Sequence, residues 1–218
     1  MSSLDFSHVF FTNDNQSILK DVSVSIDAGD FLSIVGPSGS GKSTFLKLCC
    51  HLISPTDGAI SFKGKNLNDY NPMELRKQIA YCFQMPYLFG DHVKENLEFP
   101  FVVRNVPFEQ ERVDELFSVF HMANDYLHKE VKNLSGGEKQ RIALIRSLLF
   151  KPEILLLDEV TSALDTANTE IVEQAVKSLN QKGTTILWIT HNTEQSRKHA
   201  NKLLTIENGE IHTLEAIQ

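Results

Sequence analysis

The nine residues Gly36–Thr44, GPSGSGKST, constrain what this chain can fold into more than any other stretch. They fit the pattern G-x-x-x-x-G-K-[ST], and they lie between a short apolar run, FLSIV (Phe31–Val35), and a helix-forming run, KSTFLKLCCHL. Glycines in such a turn let the backbone wrap so that its N–H groups point inward at an anion. A strand that ends at such a loop is buried, and the helix starts where the loop closes. Lys42 is then placed to reach the β and γ phosphates of a nucleotide, and the Ser43 hydroxyl to meet Mg²⁺. The expected phosphate-binding set is Gly36, Pro37, Ser38, Gly39, Ser40, Gly41, Lys42, Ser43 and Thr44.

A second apolar strand, ILLLD, ends in two acids, Asp158 and Glu159. Ligands of open α/β sheets bind at the carboxyl ends of the strands, so both acids are expected there. Asp158 is predicted to hold Mg²⁺ and Glu159 to polarise a water that attacks the γ-phosphate. Further strand-like runs are AISFKG, IAYCF (Ile79–Phe83), TTILWIT, KLLTIENG and EIHTLE. They alternate with helical runs, which predicts a parallel sheet covered on both faces. Short β-type runs, HVFF and VSVSI, precede the glycine loop and are broken by the polar stretch Thr12–Ser17. From Tyr87 to Leu149 the pattern is mostly helical, with amphipathic spacing in FEQERVDELFSVF and EKQRIALIRSLL. This predicts one domain in two lobes, a core lobe of residues 1–86 and 150–218 and a helical lobe of residues 87–149.

The 218 residues can bury a sizeable core, and 41% are hydrophobic against 22% charged. The formal net charge of −7 argues against a general nucleic-acid binder. An anionic ligand must therefore be held by local geometry rather than by the global field. No apolar run approaches the roughly 20 residues of a membrane helix. The start, MSSLDFSH, lacks the basic and apolar regions of a signal peptide. Cys49, Cys50 and Cys82 show no Cys-x-x-Cys spacing, and a reduced, cytoplasmic setting is the simplest reading.

One motif is not used by the phosphate loop. In NLSGGEKQR, Ser135 precedes two glycines and a long apolar-periodic run, as at a helix N-terminus that holds an anion. LSGG, then LLLDE, then SALD (Ser162–Asp165), then His191 in WITHN follow in order. With Gln84 at the start of the helical stretch, the chain resembles the ATP-binding subunits of ATP-binding cassette (ABC) transporters along nearly its whole length. The resemblance implies a RecA-like P-loop core, a small antiparallel β subdomain and an inserted α-helical subdomain. It implies ATP hydrolysis with Mg²⁺ in a head-to-tail homodimer. Ser135, Gly136 and Gly137 would cap the γ-phosphate on the Gly36–Thr44 loop of the other subunit, and Asp165 would link the two sites. His191 would contact the γ-phosphate and orient the attack, and Gln84 would touch Mg²⁺ and the water. Phe11 stands where the family stacks an aromatic on adenine, with Phe10 a rival. Val160 departs from the family, which has proline after the acids; no charged or coordinating group is lost.

The stretch YCFQMPYLFGDHVKENLEFPFVVRN (Tyr81–Asn105) is similar to the bacterial FetA/YbbL type, associated with iron export and paired with a FetB-type multi-span permease. Alternatives are another ABC exporter of lipoproteins or peptides and a soluble ABC ATPase without a transport role. The family resemblance places the subunit on the inner face of the cell membrane. It makes Tyr87–His92 the loop that receives a permease helix, gripped by Leu88 and Phe89; the alternative is that these two side chains pack under the helical lobe. Pro86 and Gly90 make this stretch a loop rather than a strand.

Overall fold

The computed structural model describes residues 2–217. The chain begins with a long hairpin, β1 (Ser2–Asn13) and β2 (Gln16–Asp27). Only Asp14 and Asn15 connect them, both at positive φ (47° and 64°). These residue types tolerate the left-handed conformation that a two-residue hairpin demands, and the turn's twist matches the strands. The polar stretch expected to separate two short strands is therefore a tight turn inside one ribbon. In β2 buried and exposed residues alternate, as expected of a half-covered antiparallel strand.

β3 (Phe31–Val35) leads through the glycine loop into α1 (Lys42–Cys49). β4 (Asp57–Phe62), β5 (Lys65–Asn66), α2 (Pro72–Gln78) and β6 (Ile79–Cys82) follow. Asn71 caps α2 through Met73 N, and Pro72 at the first helical position needs no donor of its own. Then come α3 (Val93–Arg104), α4 (Gln110–Val119) and α5 (Gly136–Leu148). β7 (Ile154–Asp158), α6 (Thr166–Gln181), β8 (Thr185–Ile189), α7 (Thr193–Lys198), β9 (Lys202–Glu207) and β10 (Glu210–Ala216) complete the chain.

Two sheets form, with strand orders β2-β1-β4-β5 and β10-β9-β3-β8-β7-β6. In the first, β1 pairs antiparallel with β2 and β4. In the second, β3 pairs parallel with β8 and β9, and β7 parallel with β8. Every residue of β7 and β8 is buried, as parallel strands covered on both faces require. Phe6 of β1 stacks on Phe45 of α1 with ring centroids 4.6 Å apart, tying the antiparallel sheet to the helix after the glycine loop. The fold is the α/β P-loop arrangement with an added antiparallel sheet.

The chain divides into two compact units. The first is Met1–Tyr81, Pro152–Glu159 and Leu179–Gln218, with both sheets at its centre. The second is Cys82–Lys151 with Val160–Ser178. Its core joins Leu97 and Phe101 of α3, Val113 and Phe117 of α4, and Ile142 and Ile145 of α5, all fully or nearly fully buried. The second unit differs from the 87–149 lobe read from sequence by taking in most of α6. The reason is close packing: a Cβ at Gly137 would lie 2.9 Å from the Asn168 side chain, so the starts of α5 and α6 touch.

Candidate functional site

In the first unit the site grows from the turn after β3. Gly36, Gly39 and Gly41 all have positive φ (142°, 77° and 103°). At Gly36 a Cβ would sit 2.0 Å from the Ile206 carbonyl oxygen, and at Gly41 it would sit 2.7 Å from Leu19 Cδ2. Only glycine meets both the conformation and the space. Gly41 is also the N-cap of α1, with no side chain capping that terminus and no acid in the first turn. The first N–H groups of α1 are thus left to an anion. The buried Ser40 hydroxyl has no hydrogen-bond partner among the described residues, which fits a phosphate donor set.

Lys42 is buried, and its ammonium donates to the carbonyls of Gly36 (2.9 Å) and Pro37 (2.8 Å). Burial lowers its pKa, and the nearby carboxylates of Glu159 and Asp158 oppose that shift. The Ser43 hydroxyl donates to Asp158 Oδ1 at 3.0 Å. Asp158 is buried at the end of β7, and Tyr81 donates its hydroxyl to Asp158 Oδ2 at 2.5 Å. These are oxygen ligands suited to a hard cation that is shared with phosphate oxygens. Among the described residues no group of three or more His, Cys, Asp or Glu is placed to hold a metal ion by itself.

Glu159 follows directly, in the left-handed region at φ 50°, with its N–H on the Ile189 carbonyl at 3.2 Å. A non-glycine residue held there stores roughly 1–2 kcal/mol of strain. His191, after β8, brings Nε2 to 2.6 Å from Glu159 Oε1. Phe11 on β1 pairs across the ribbon with Leu19, whose side chain borders Gly41, and it packs on the core with part of its ring exposed. Phe10 is also half-buried, but its carbonyl is taken by Thr56 N and Oγ1.

The remaining expected residues lie in the second unit. Ser135 is the N-cap of α5, where its hydroxyl accepts from Glu138 N (3.3 Å) and its N–H donates to Glu138 Oε2 (2.7 Å). Burial raises the Glu138 pKa, but hydrogen bonds from Tyr126 and Ser135 outweigh it and the net shift is downward. Gly136 is open, and a Cβ there would meet nothing within 4 Å. Asp165 accepts from Asn168 N and from Asn168 Nδ2, both at 2.8 Å, and these bonds lower its pKa. Gln84 is exposed two residues beyond β6.

The loop expected to meet a membrane partner is held by two side chains that the sequence reading did not single out. Asn96 of α3, fully buried, accepts from Phe89 N (3.0 Å) and donates to Phe89 O (2.7 Å). Arg146 of α5 donates to Asn96 Oδ1 (3.0 Å) and to Tyr87 O (2.9 Å), and burial lowers its pKa. Leu88 and Phe89 are half-buried, and Phe89 packs edge-on against Phe99 with centroids 5.2 Å apart. The exposed apolar groups are instead Met85 (80%) and Tyr87 (74%). α3 covers the loop at Phe89, through Asn96 and Phe99.

The geometry defines a P-loop nucleotide hydrolase with a second glycine-led helix start. The family profile described as "ABC transporter" matches residues 19–162. The chain is 40% identical over 205 residues to "Probable iron export ATP-binding protein FetA" of Escherichia coli (strain K12), spanning 94% of this chain and 91% of that protein. It is 37% identical over 215 residues to "Energy-coupling factor transporter ATP-binding protein EcfA1" of Geobacillus kaustophilus (strain HTA426), spanning 95% and 76%. A solved dimeric ATP-binding cassette in a post-hydrolysis state, bound to ADP and Pi, matches with a TM-score of 0.89 at 30% identity over 99% of both chains. The chain belongs to the ABC transporter family, as an ATP-binding and ATP-hydrolysing subunit. Among the described residues no helix is long and apolar enough to cross a membrane.

Proposed function

We propose that this chain works as a head-to-tail homodimer on the cytoplasmic side of a multi-span permease and powers export of iron. The carrying observation is the set of acids and donors in the first unit: Ser43 on Asp158, and His191 on Glu159, beside the uncapped start of α1. The free N–H groups after Gly41 and the Ser40 hydroxyl bind phosphate, and Lys42 exchanges its loop carbonyls for phosphate oxygens. Ser43 and Asp158 would hold Mg²⁺, with Gln84 as a further contact, and the ion would supply positive charge against the phosphate oxygens. Glu159 takes the proton of the attacking water, with His191 holding its carboxylate. Phe11 stacks on adenine.

Ser135, Gly136 and Gly137 cap the γ-phosphate held by the partner subunit's loop. The open surface at Gly136 and the dipole of α5 support this role, because a helix N-terminus favours an anion and small residues permit close approach. Asp165 spans toward the partner site. The iron cargo and the FetB-like permease rest on the likeness to the FetA protein. Co-expression with a FetB-type permease, followed by purification and an iron-efflux assay in a deletion strain, tests this. Co-purification with ATP-dependent iron efflux is expected. Co-purification with no effect on cellular iron would support another cargo, and no co-purification would overturn the transport role.

A further inference from the structure

We propose that Tyr81 is a positioning residue for the metal-binding carboxylate: its hydroxyl holds Asp158 Oδ2 and leaves Oδ1 turned toward Ser43. This rests on the reading of Ser43 and Asp158 as the Mg²⁺ pair.

Asp158 is 7% exposed, so its carboxylate has little water to satisfy it. A buried carboxylate needs donors on its oxygens, and its side chain rotates to find them. Two hydroxyls supply them from opposite sides of the sequence. Ser43, at the first turn of α1, donates to Oδ1 at 3.0 Å. Tyr81 donates to Oδ2 at 2.5 Å from β6, the neighbour of β7 in the sheet. A hydroxyl on a carboxylate at this distance makes a strong, charge-assisted bond. The Tyr81 ring packs on the hydrophobic core of the first unit, so the hydroxyl is delivered from an anchored ring.

With Oδ2 held, the carboxylate cannot turn, and Asp158 Oδ1 and Ser43 Oγ form a preset pair of oxygen ligands. In this role Tyr81 is not itself a metal ligand; it acts through the Asp158 carboxylate that it holds. Outer partners that orient a ligating carboxylate commonly change metal affinity without changing the ligand set.

Tyr81→Phe keeps the ring and removes only the hydroxyl. The test uses the full chain carrying Glu159→Gln, so that turnover does not enter. Binding of a fluorescent ATP analogue is measured across a Mg²⁺ titration and again in EDTA, with Asp158→Asn as the reference variant. Tyr81→Phe is expected to raise the Mg²⁺ needed for half-saturation about tenfold, leaving affinity in EDTA unchanged. A parallel weakening of Mn²⁺ binding, read by electron paramagnetic resonance with nucleotide present, is expected too. If Asp158→Asn shifts the Mg²⁺ requirement and Tyr81→Phe does not, the positioning role is overturned and the metal pair stands. If neither shifts it, the metal pair itself falls, and the role of Tyr81 with it. If Tyr81→Phe weakens binding equally in EDTA, the hydroxyl supports the loop in general, and the proposal is overturned.

Discussion

His191 Nε2 lies 2.6 Å from Glu159 Oε1, and the two side chains differ sharply in exposure, 50% against 16%. The carboxylate is sheltered while the ring that holds it faces solvent. Glu159 is aimed by its left-handed backbone and then fixed by the imidazole. Glu159→Gln keeps the shape but removes the base. ATP binding should persist and turnover should fall at least about 100-fold, the usual contribution of a general base. The ATP-bound dimer should accumulate, visible as a doubled mass in gel filtration with ATP. Turnover at the wild-type rate would remove Glu159 from that role.

Ser135 has two roles that one substitution can separate. Its hydroxyl caps α5, so Ser135→Arg should lower stability by about 1 kcal/mol, the usual loss of an N-cap. Bulk at this exposed position should also block ATP-driven dimerisation and turnover, while the isolated chain still binds ATP on its own loop. Calorimetry and nucleotide binding on the monomer check this. Mixing with Lys42→Ala subunits sharpens it, since both defects can fall on one composite site and leave the other intact. Loss of nucleotide binding by the monomer would end the idea of capping in trans.

Gly41 has no room for a side chain. Gly41→Ala adds a methyl 2.7 Å from Leu19 Cδ2 at a φ of 103°. It should destabilise the chain by about 1–3 kcal/mol, and the Tm should fall by about 2–4 °C per kcal/mol. Nucleotide affinity should fall as well, because the start of α1 shifts. Gly39→Ala meets nothing within 4 Å and should show only the backbone strain, about 1 kcal/mol. Equal effects of the two would contradict the packing described at Leu19.

Met85 and Tyr87, not Leu88 and Phe89, carry the exposed apolar surface of the Gln84–His92 stretch. Met85→Ser with Tyr87→Ser should leave the Tm within about 4 °C of wild type, as two surface changes usually do, and abolish permease co-purification. Leu88→Ser with Phe89→Ser should melt clearly lower. Retained co-purification in the first variant would place the permease contact elsewhere.

All three thiols are buried, and burial pushes the pKa of Cys50 and of Cys82 up to about 11, with Cys49 raised well above the usual thiol value. At pH 8 a thiol of pKa near 11 is roughly one part in a thousand thiolate, against roughly a quarter for an unperturbed cysteine. The folded chain should therefore react with alkylating reagents far more slowly than the urea-unfolded chain, which should titrate three thiols. Fast labelling of the folded chain by mass spectrometry would contradict the buried placement.

The glycine loop, the strand acids and the capped start at Ser135 are legible in the linear text because each is made by neighbours in sequence. A glycine at positive φ, an apolar run that ends in Asp158 and Glu159, and a serine followed three residues later by Glu138 specify their own local geometry. The hairpin turn at Asp14 and Asn15 has a local signal too, although its residues also fit a longer loop. Other features exist only after residues distant in sequence meet. Tyr81 reaches Asp158 across 77 positions, and Arg146 reaches Tyr87 across 59. Asn168 packs against Gly137, and that contact draws the start of α6 into the second unit. A tyrosine in a strand-like run or an asparagine inside a helix reads as an ordinary residue until packing sets its partner. Sequence determined which chemistry this chain carries, since that lies in residue types at short spacing. The tertiary structure alone decided which side chains hold those groups in place, since burial and hydrogen-bond partners arise only when the strands and helices pack.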